Sequence, residues 1–161
     1  MDFRIGNGID CHKLVPNKKL ILGGVTIDFD LGLEGHSDGD AVYHSIVDAM
    51  LGALSLGDIG TFFPSNDSKW KDASSSIFLE FAKQKINDSG YDVHNVDITI
   101  VLQNPKLKDY IYSIRKNIAK ILKIDVEGVS VKATTTDKLG FVGEGQGIVA
   151  FANTLLVKNE N

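Results

Sequence analysis

A chain of 161 residues, 43% hydrophobic and 24% charged, has the composition of a soluble globular domain and is long enough to bury a sizeable core. Its net charge of −4 and sequence pI near 5.5 leave no basic excess to neutralise phosphates, which argues against nucleic acid as the main partner. No run approaches the roughly 18 apolar residues of a membrane span, no leader-like segment opens the chain, and the single cysteine, Cys11, has no intrachain partner, so no membrane partner and a cytoplasmic setting are expected.

In chain order, Phe3–Ile9 reads as a strand closed by Gly6 and Gly8, followed by a polar loop over Lys13–Lys19. Leu20–Ile27 reads as a hairpin turning on Gly23-Gly24. A first helix is expected to begin near Ser37, with Asp40 three residues on as in a capping box. Val42, Ile46, Val47, Met50, Leu51 and Leu54 would cover one face of it, with His44 at the edge. Leu56–Asp67 is a loop with Gly and Pro, and Ser74–Ser89 a second helix with Ile77, Phe78, Phe81, Ala82 and Ile86 inward, stopped by Gly90. Val96–Leu102 is a β-branched strand ended by Pro105, Asp109–Leu122 a third helix, and Val129–Thr136 and Gly147–Val157 the last strands. No internal repeat or linker divides the chain. The expected fold is a single α/β (α+β) domain over 1–161, a mixed sheet with helices mainly on one face. A sheet face left uncovered would need an oligomeric partner.

Asp10 and His12, two apart in a strand, share one face, and the next helix carries His44. A carboxylate and two imidazoles suit a three-ligand zinc site with a free position; the alternative is a strand-end acid and two unrelated surface histidines. Asp48 could orient His44 or be a solvated helix residue. His36-Ser37 at a helix start suits phosphate, or Ser37 is only a cap. Thr134-Thr135-Thr136-Asp137, following Lys132-Ala133, sets hydroxyl donors beside an acid that could hold a hard cation, or is a polar strand terminus. Asp58-Ile59-Gly60 and Phe63-Pro64-Ser65-Asn66-Asp67 could accept bonds from polyol hydroxyls, and Pro105-Lys106-Leu107 could line a base slot. All three are equally ordinary turn sequences.

Together these segments closely resemble the 2-C-methyl-D-erythritol 2,4-cyclodiphosphate synthase family. The resemblance rests on Gly8-Ile9-Asp10-Cys11-His12, His36-Ser37-Asp38-Gly39-Asp40 with His44, Leu56-Gly57-Asp58-Ile59-Gly60, Phe63-Pro64, Gln103-Asn104-Pro105-Lys106, Val131 to Thr136 and Leu139-Gly140-Phe141. It implies a homotrimer with active sites between subunits. There the 2-phosphate of 4-diphosphocytidyl-2-C-methyl-D-erythritol 2-phosphate attacks the β-phosphorus and CMP leaves. It implies Zn²⁺ on Asp10, His12 and His44, a second divalent cation (Mg²⁺ or Mn²⁺) near Asp137, and catalytic donors His36 and Thr135. Substrate contacts are implied for Asp10, Cys11, His12, His36 and Ser37, and for Asp58, Ile59, Gly60 and Phe63 to Asp67. They are also implied for Leu102, Gln103, Asn104, Pro105, Lys106, Leu107 and Lys108, for Ala133 to Asp137, and for Phe141 and Glu144.

Several positions depart from the family pattern. Asn7 stands where His is common, Ser65 for a frequent Asp, Asp137 for the usual Glu, Glu144 for a frequent Arg and Gln146 for a frequent Glu. In relatives that Arg lines an apolar cavity on the trimer axis, so an acid there implies no prenyl diphosphate ligand. A metal-dependent nucleotide-diphosphate hydrolase and a trimeric nucleotide- or metal-binding module without turnover are the competing readings.

Overall fold

The computed structural model describes residues 2–159. Five strands form one mixed sheet in the order β4-β1-β7-β5-β6, and β2 (Leu20–Leu22) pairs separately with β3 (Val25–Ile27). At the centre, β1 (Phe3–Pro16) runs antiparallel to β7 (Gly147–Lys158), which is antiparallel to β5 (Tyr91–Val101). β6 (Val129–Thr134) lies parallel to β5, and the crossover between them contains α4 (Ile111–Leu122), as parallel pairing requires. At the opposite edge a three-residue β4 (Leu31–Leu33) pairs with Leu14 to Pro16.

That pairing corrects the polar loop expected over Lys13–Lys19: the chain stays extended to Pro16 because β4, too short for any periodicity to announce, supplies its partner. Nor do Gly6 and Gly8 close the first strand. A Cβ on Gly6 would lie 1.8 Å from the Ala49 carbonyl oxygen, and one on Gly8 2.0 Å from that of Ser45. Glycine here lets helix α1 (Ala41–Ala53) lie against the strand, a close backbone approach rather than a stop. The Gly23-Gly24 hairpin is as expected, with φ of +57° and +71° at the turn.

α1 starts four residues beyond Ser37. Asp40 is its N-cap, accepting from the N–H groups of Val42 (3.1 Å) and Tyr43 (3.2 Å). The same carboxylate accepts from Gly23 N (2.9 Å) and Gly24 N (2.7 Å), tying the hairpin to the helix start. Full burial pushes Asp40 up to about 6, against the pull of those donors. Only Asp48 and Gly52 of α1 escape burial, because the helix lies between the sheet and α3 (Ser76–Asp88). In α3 the buried residues are Phe78, Leu79, Ala82 and Ile86; Ile77, expected inward, is 46% exposed, and Leu79 holds the inward place instead.

The helices cover one face of the sheet. On the other, Phe3, Ile5, Ile9 and Phe151 are exposed, and Asn7 donates to Asn153 across the β1–β7 pair (3.0 Å). Among the described residues nothing packs over this apolar face.

Candidate active site

Alternation along β1 points Asp10 and His12 to the side where α1 lies, and His44 sits one turn into that helix. His12 Nε2 lies 2.8 Å from Asp10 Oδ2, His44 Nδ1 lies 3.2 Å from the same oxygen, and the two ring nitrogens are 3.3 Å apart. A tetrahedral ion with bonds of roughly 2.0–2.1 Å has ligand-to-ligand edges of about 3.3–3.4 Å, so the triangle is close to the right size for one. Among the described residues this is the one acid-and-imidazole group that could hold a metal ion.

The electrostatics agree. Burial opposes ionisation of Asp10, but the His12 and His44 rings facing it outweigh that effect and hold its carboxyl well below the usual range. Burial likewise works against a charged His12, yet its bond to Asp10 and that residue's charge raise it above its ordinary value. His12 Nδ1 lies 2.5 Å from the Glu34 carbonyl and donates to it, leaving Nε2 aimed at Asp10. Three lone-pair atoms converging in this way require positive charge among them, from a ring proton or from a divalent ion.

Asp48 does not orient His44. Its Oδ1 accepts from Ile59 N at 2.7 Å, pinning the start of α2 (Ile59–Phe62), a short helix within the expected Leu56–Asp67 loop. The far ring nitrogen of His44, Nε2, lies 2.8 Å from Ser75 Oγ and 3.2 Å from Ser37 Oγ. Ser75 Oγ in turn donates to Asp38 Oδ1 in a short contact, and Asp38 Oδ2 accepts from Ser75 N at 3.0 Å. Neither Ser75 nor Asp38 was singled out from sequence. Asp38 stood inside a noted motif, whereas Ser75 is the middle of three consecutive serines at the start of α3 and carries no local signal.

A cavity of about 220 Å³ opens beside the triad, lined by Asp10, His12, His36, Ser37, His44, Ile59, Gly60, Phe63 and Ser65. Trp70 and Phe78 complete its wall and were missed from sequence. Phe63 packs on both, with ring centroids 4.4 Å from Phe78 and 4.9 Å from Trp70. His36 Nε2 donates to the Asp67 carbonyl (2.8 Å). Asp58, Pro64, Asn66 and Asp67 do not line the cavity. The Asp58 carboxylate caps α2 through Thr61 N (2.8 Å), and that of Asp67 accepts from Lys69 N (2.9 Å). Cys11 is exposed and, by strand alternation, faces away from Asp10 and His12.

A second cavity, about 320 Å³, is lined by Leu102, Gln103, Pro105, Lys106, Leu107, Lys108, Ile111, Ala133, Thr134 and Thr135. β6 ends at Thr134, two residues short of the expected Thr136, because the chain turns into the left-handed region at Asp137 (φ +52°) and Lys138 (φ +67°). Within that turn Asp137 N donates to Thr135 Oγ1 (3.2 Å) and Lys138 N to Gln103 Oε1 (3.3 Å). Asn104, Thr136 and Asp137 stand outside the lining. Phe141 lies on α5 (Gly140–Gly143), and Glu144 follows it, accepting from Gln146 Nε2 (2.8 Å). Register places both cavities at one end of the sheet, Cys11 level with Val149, Val149 with Val101, and Val101 with Thr134. Three strand spacings, roughly 14 Å, separate them.

A mixed α+β sheet with a His/Asp triad at its end, beside two distinct cavities, defines an enzyme with a metal-capable site. Residues 3–157 match the YgbB family, and the chain belongs to it. The 2-C-methyl-D-erythritol 2,4-cyclodiphosphate synthase of Brachyspira hyodysenteriae is 50% identical over 98% of this chain and 99% of its own length. Among solved structures, IspF of Plasmodium falciparum in complex with CDP superposes with a TM-score of 0.87 at 45% identity, over 98% of this chain and 97% of that one. The bifunctional IspDF of Campylobacter jejuni gives a TM-score of 0.95 at 42% identity, covering 99% of this chain, which spans 43% of that longer protein.

Proposed function

We propose that this enzyme, one cyclodiphosphate-synthase-like domain over residues 1–161, converts 4-diphosphocytidyl-2-C-methyl-D-erythritol 2-phosphate to 2-C-methyl-D-erythritol 2,4-cyclodiphosphate and CMP. The observation that carries the reading is the convergence of Asp10 Oδ2, His12 Nε2 and His44 Nδ1 at 2.8–3.3 Å on the wall of a cavity. The near-complete match to named synthases gives the substrate. In the reaction an oxygen of the 2-phosphate bonds to the β-phosphorus, and the bond from that phosphorus to the bridging oxygen breaks. CMP departs with the electron pair, and no water is consumed.

Asp10, His12 and His44 would hold Zn²⁺, which supplies Lewis-acid polarisation of a β-phosphate oxygen. The chain's own task is positioning and charge stabilisation. His36 and Thr135 donate to phosphate oxygens. The wall of Phe63, Trp70 and Phe78 keeps water from competing with the internal nucleophile. Ile59, Gly60 and Ser65 meet the erythritol portion. Leu102 to Lys108 and Ala133 to Thr135 hold cytidine, and Asp137 would hold a second divalent cation, Mg²⁺ or Mn²⁺, which would supply further neutralisation of phosphate charge.

A metal cavity and a base-sized slot roughly 14 Å apart do not form one compact site in a single copy. We infer a homotrimer in which the slot of one subunit meets the metal cavity of the next, with the apolar sheet face of Ile5, Ile9 and Phe151 buried between copies. An acid at Glu144 near that axis repels diphosphates, so no prenyl diphosphate binds there. No helix of the described residues is long and apolar enough to cross a membrane. A cytoplasmic setting, without nucleic-acid partners, completes the reading.

Incubating the purified chain with the cytidyl substrate and Mg²⁺ in water enriched in heavy oxygen tests it. Equal amounts of CMP and cyclic product, free of solvent oxygen, are expected. A linear product carrying solvent oxygen identifies a hydrolase, and binding without turnover a nucleotide-binding module.

A further inference from the structure

Ser75 occupies the N-cap position of α3, the place where a serine hydroxyl normally bonds a free N–H of its own helix, yet it makes no such bond. Its side chain is fully buried, and its oxygen lies within reach of three groups: His44 Nε2 at 2.8 Å, Ser37 Oγ at 3.3 Å and Asp38 Oδ1 in a short contact. A carboxylate can only accept, so the Ser75 proton goes to Asp38. Ser75 Oγ therefore has lone pairs alone to offer His44, and the bond between them exists only when the ring proton sits on Nε2.

On the other side of the ring, Asp10 Oδ2 lies 3.2 Å from Nδ1 and competes for the same proton. A neutral His44 that gave its proton to Asp10 would present no lone pair at Nδ1 and could not serve as a ligand there. We propose that Asp38 and Ser75 form a positioning relay that holds the His44 proton on Nε2 and so keeps Nδ1 free to ligate. This rests on the metal reading of the triad and extends it to two residues outside the triad. Ser37, which accepts from Gly39 N at 3.3 Å and lies 3.2 Å from His44 Nε2, is a longer second acceptor that keeps the proton on Nε2 when Ser75 is lost. It does not hold the ring in its ligating position, so both hydroxyls must go before the tautomer changes.

The anchoring suits the role. Asp38 Oδ2 takes the Ser75 backbone N–H at 3.0 Å, and Asp38 N donates to the Ala73 carbonyl at 3.0 Å. The loop before α3 is thereby locked to the segment before α1, so the far side of the His44 ring faces a fixed acceptor. Partners of this kind, hydrogen-bonded to a ligating imidazole, typically change metal affinity about tenfold to a hundredfold when removed.

The test uses the full chain in metal-free and zinc-loaded forms. Long-range proton–nitrogen NMR of the histidine rings, at a pH where they are neutral, should find His44 protonated at Nε2 in the metal-free wild type. In Ser37→Ala/Ser75→Ala the proton should move to Nδ1, facing Asp10. Zinc competition against a chromophoric chelator should weaken about tenfold or more in Ser75→Ala, and Ser75→Thr, which keeps the hydroxyl, should recover most of that loss. An Nδ1-protonated His44 in the wild type overturns the relay. So does an unmoved tautomer in the double variant, or zinc affinity in Ser75→Ala within twofold of wild type. Equal zinc loss in Ser75→Ala and Ser75→Thr with an unchanged tautomer would make Ser75 merely structural and also overturns it. If the wild type binds no zinc, the metal reading fails by itself, and the tautomers still decide the relay.

Discussion

The two cavities at the end of the sheet are built in different ways. The metal cavity hangs on a long central strand and a buried helix, and each ring nitrogen of His12 and His44 has a neighbour that fixes its orientation. The slot beside Thr135 is edged by an exposed turn with two left-handed residues, and its acid, Asp137, is bonded only within that turn. One half is preorganised by the fold of a single copy, while the other, on the proposed reading, is finished by substrate and a neighbouring subunit. Changes on the first half should therefore strike metal binding, and changes on the second should strike turnover with the metal still in place.

The largest effect is expected at His44. His44→Ala should lose bound zinc and activity together while circular dichroism reports an unchanged fold; full zinc stoichiometry in that variant would break the assignment. Next, Thr135→Val should lower kcat by about a hundredfold, the scale of one lost transition-state donor. Zinc content should be unaltered, and a parallel loss of zinc would erase the distinction between the two halves. Removing the metal sets up the smallest effect. The raised folded pKa of His12 means its contribution is fully present below the ordinary value of 6.5 and is lost as pH rises through the folded value. The Tm of the metal-free chain should therefore fall from about pH 6 to about pH 9. The zinc-loaded Tm should not fall in step, because a ligating imidazole must be neutral and zinc binds better as the proton leaves. Parallel pH profiles for the two forms would contradict the shared site.

How much of this could be read from sequence follows from how local each signal is. The Gly23-Gly24 hairpin and the common face of Asp10 and His12 depend on neighbours two or three residues apart, and both appear in the structure as expected. Gly6 and Gly8 were misread because their meaning lies in a helix more than thirty residues on. Helical spacing left Asp48 either a partner of His44 or a solvated residue, because that spacing cannot tell which way a ring nitrogen points. The true neighbour, Ser75, is separated by 31 residues. Helical periodicity turned Phe78 inward but could not say that inward meant the cavity wall, and Trp70 reached that wall through tertiary packing with no local signal. The uncovered sheet face was anticipated in kind, since helices on one side leave the other bare.

Anomalous scattering at the zinc edge from a crystal of the full chain tests the central claim most directly. The expected result is one peak per chain inside the Asp10, His12 and His44 triangle, with copies arranged as a closed trimer that sets each peak beside a neighbour's Thr135. No peak within that triangle, or copies that leave the metal cavity and the Thr135 slot unjoined, would contradict it.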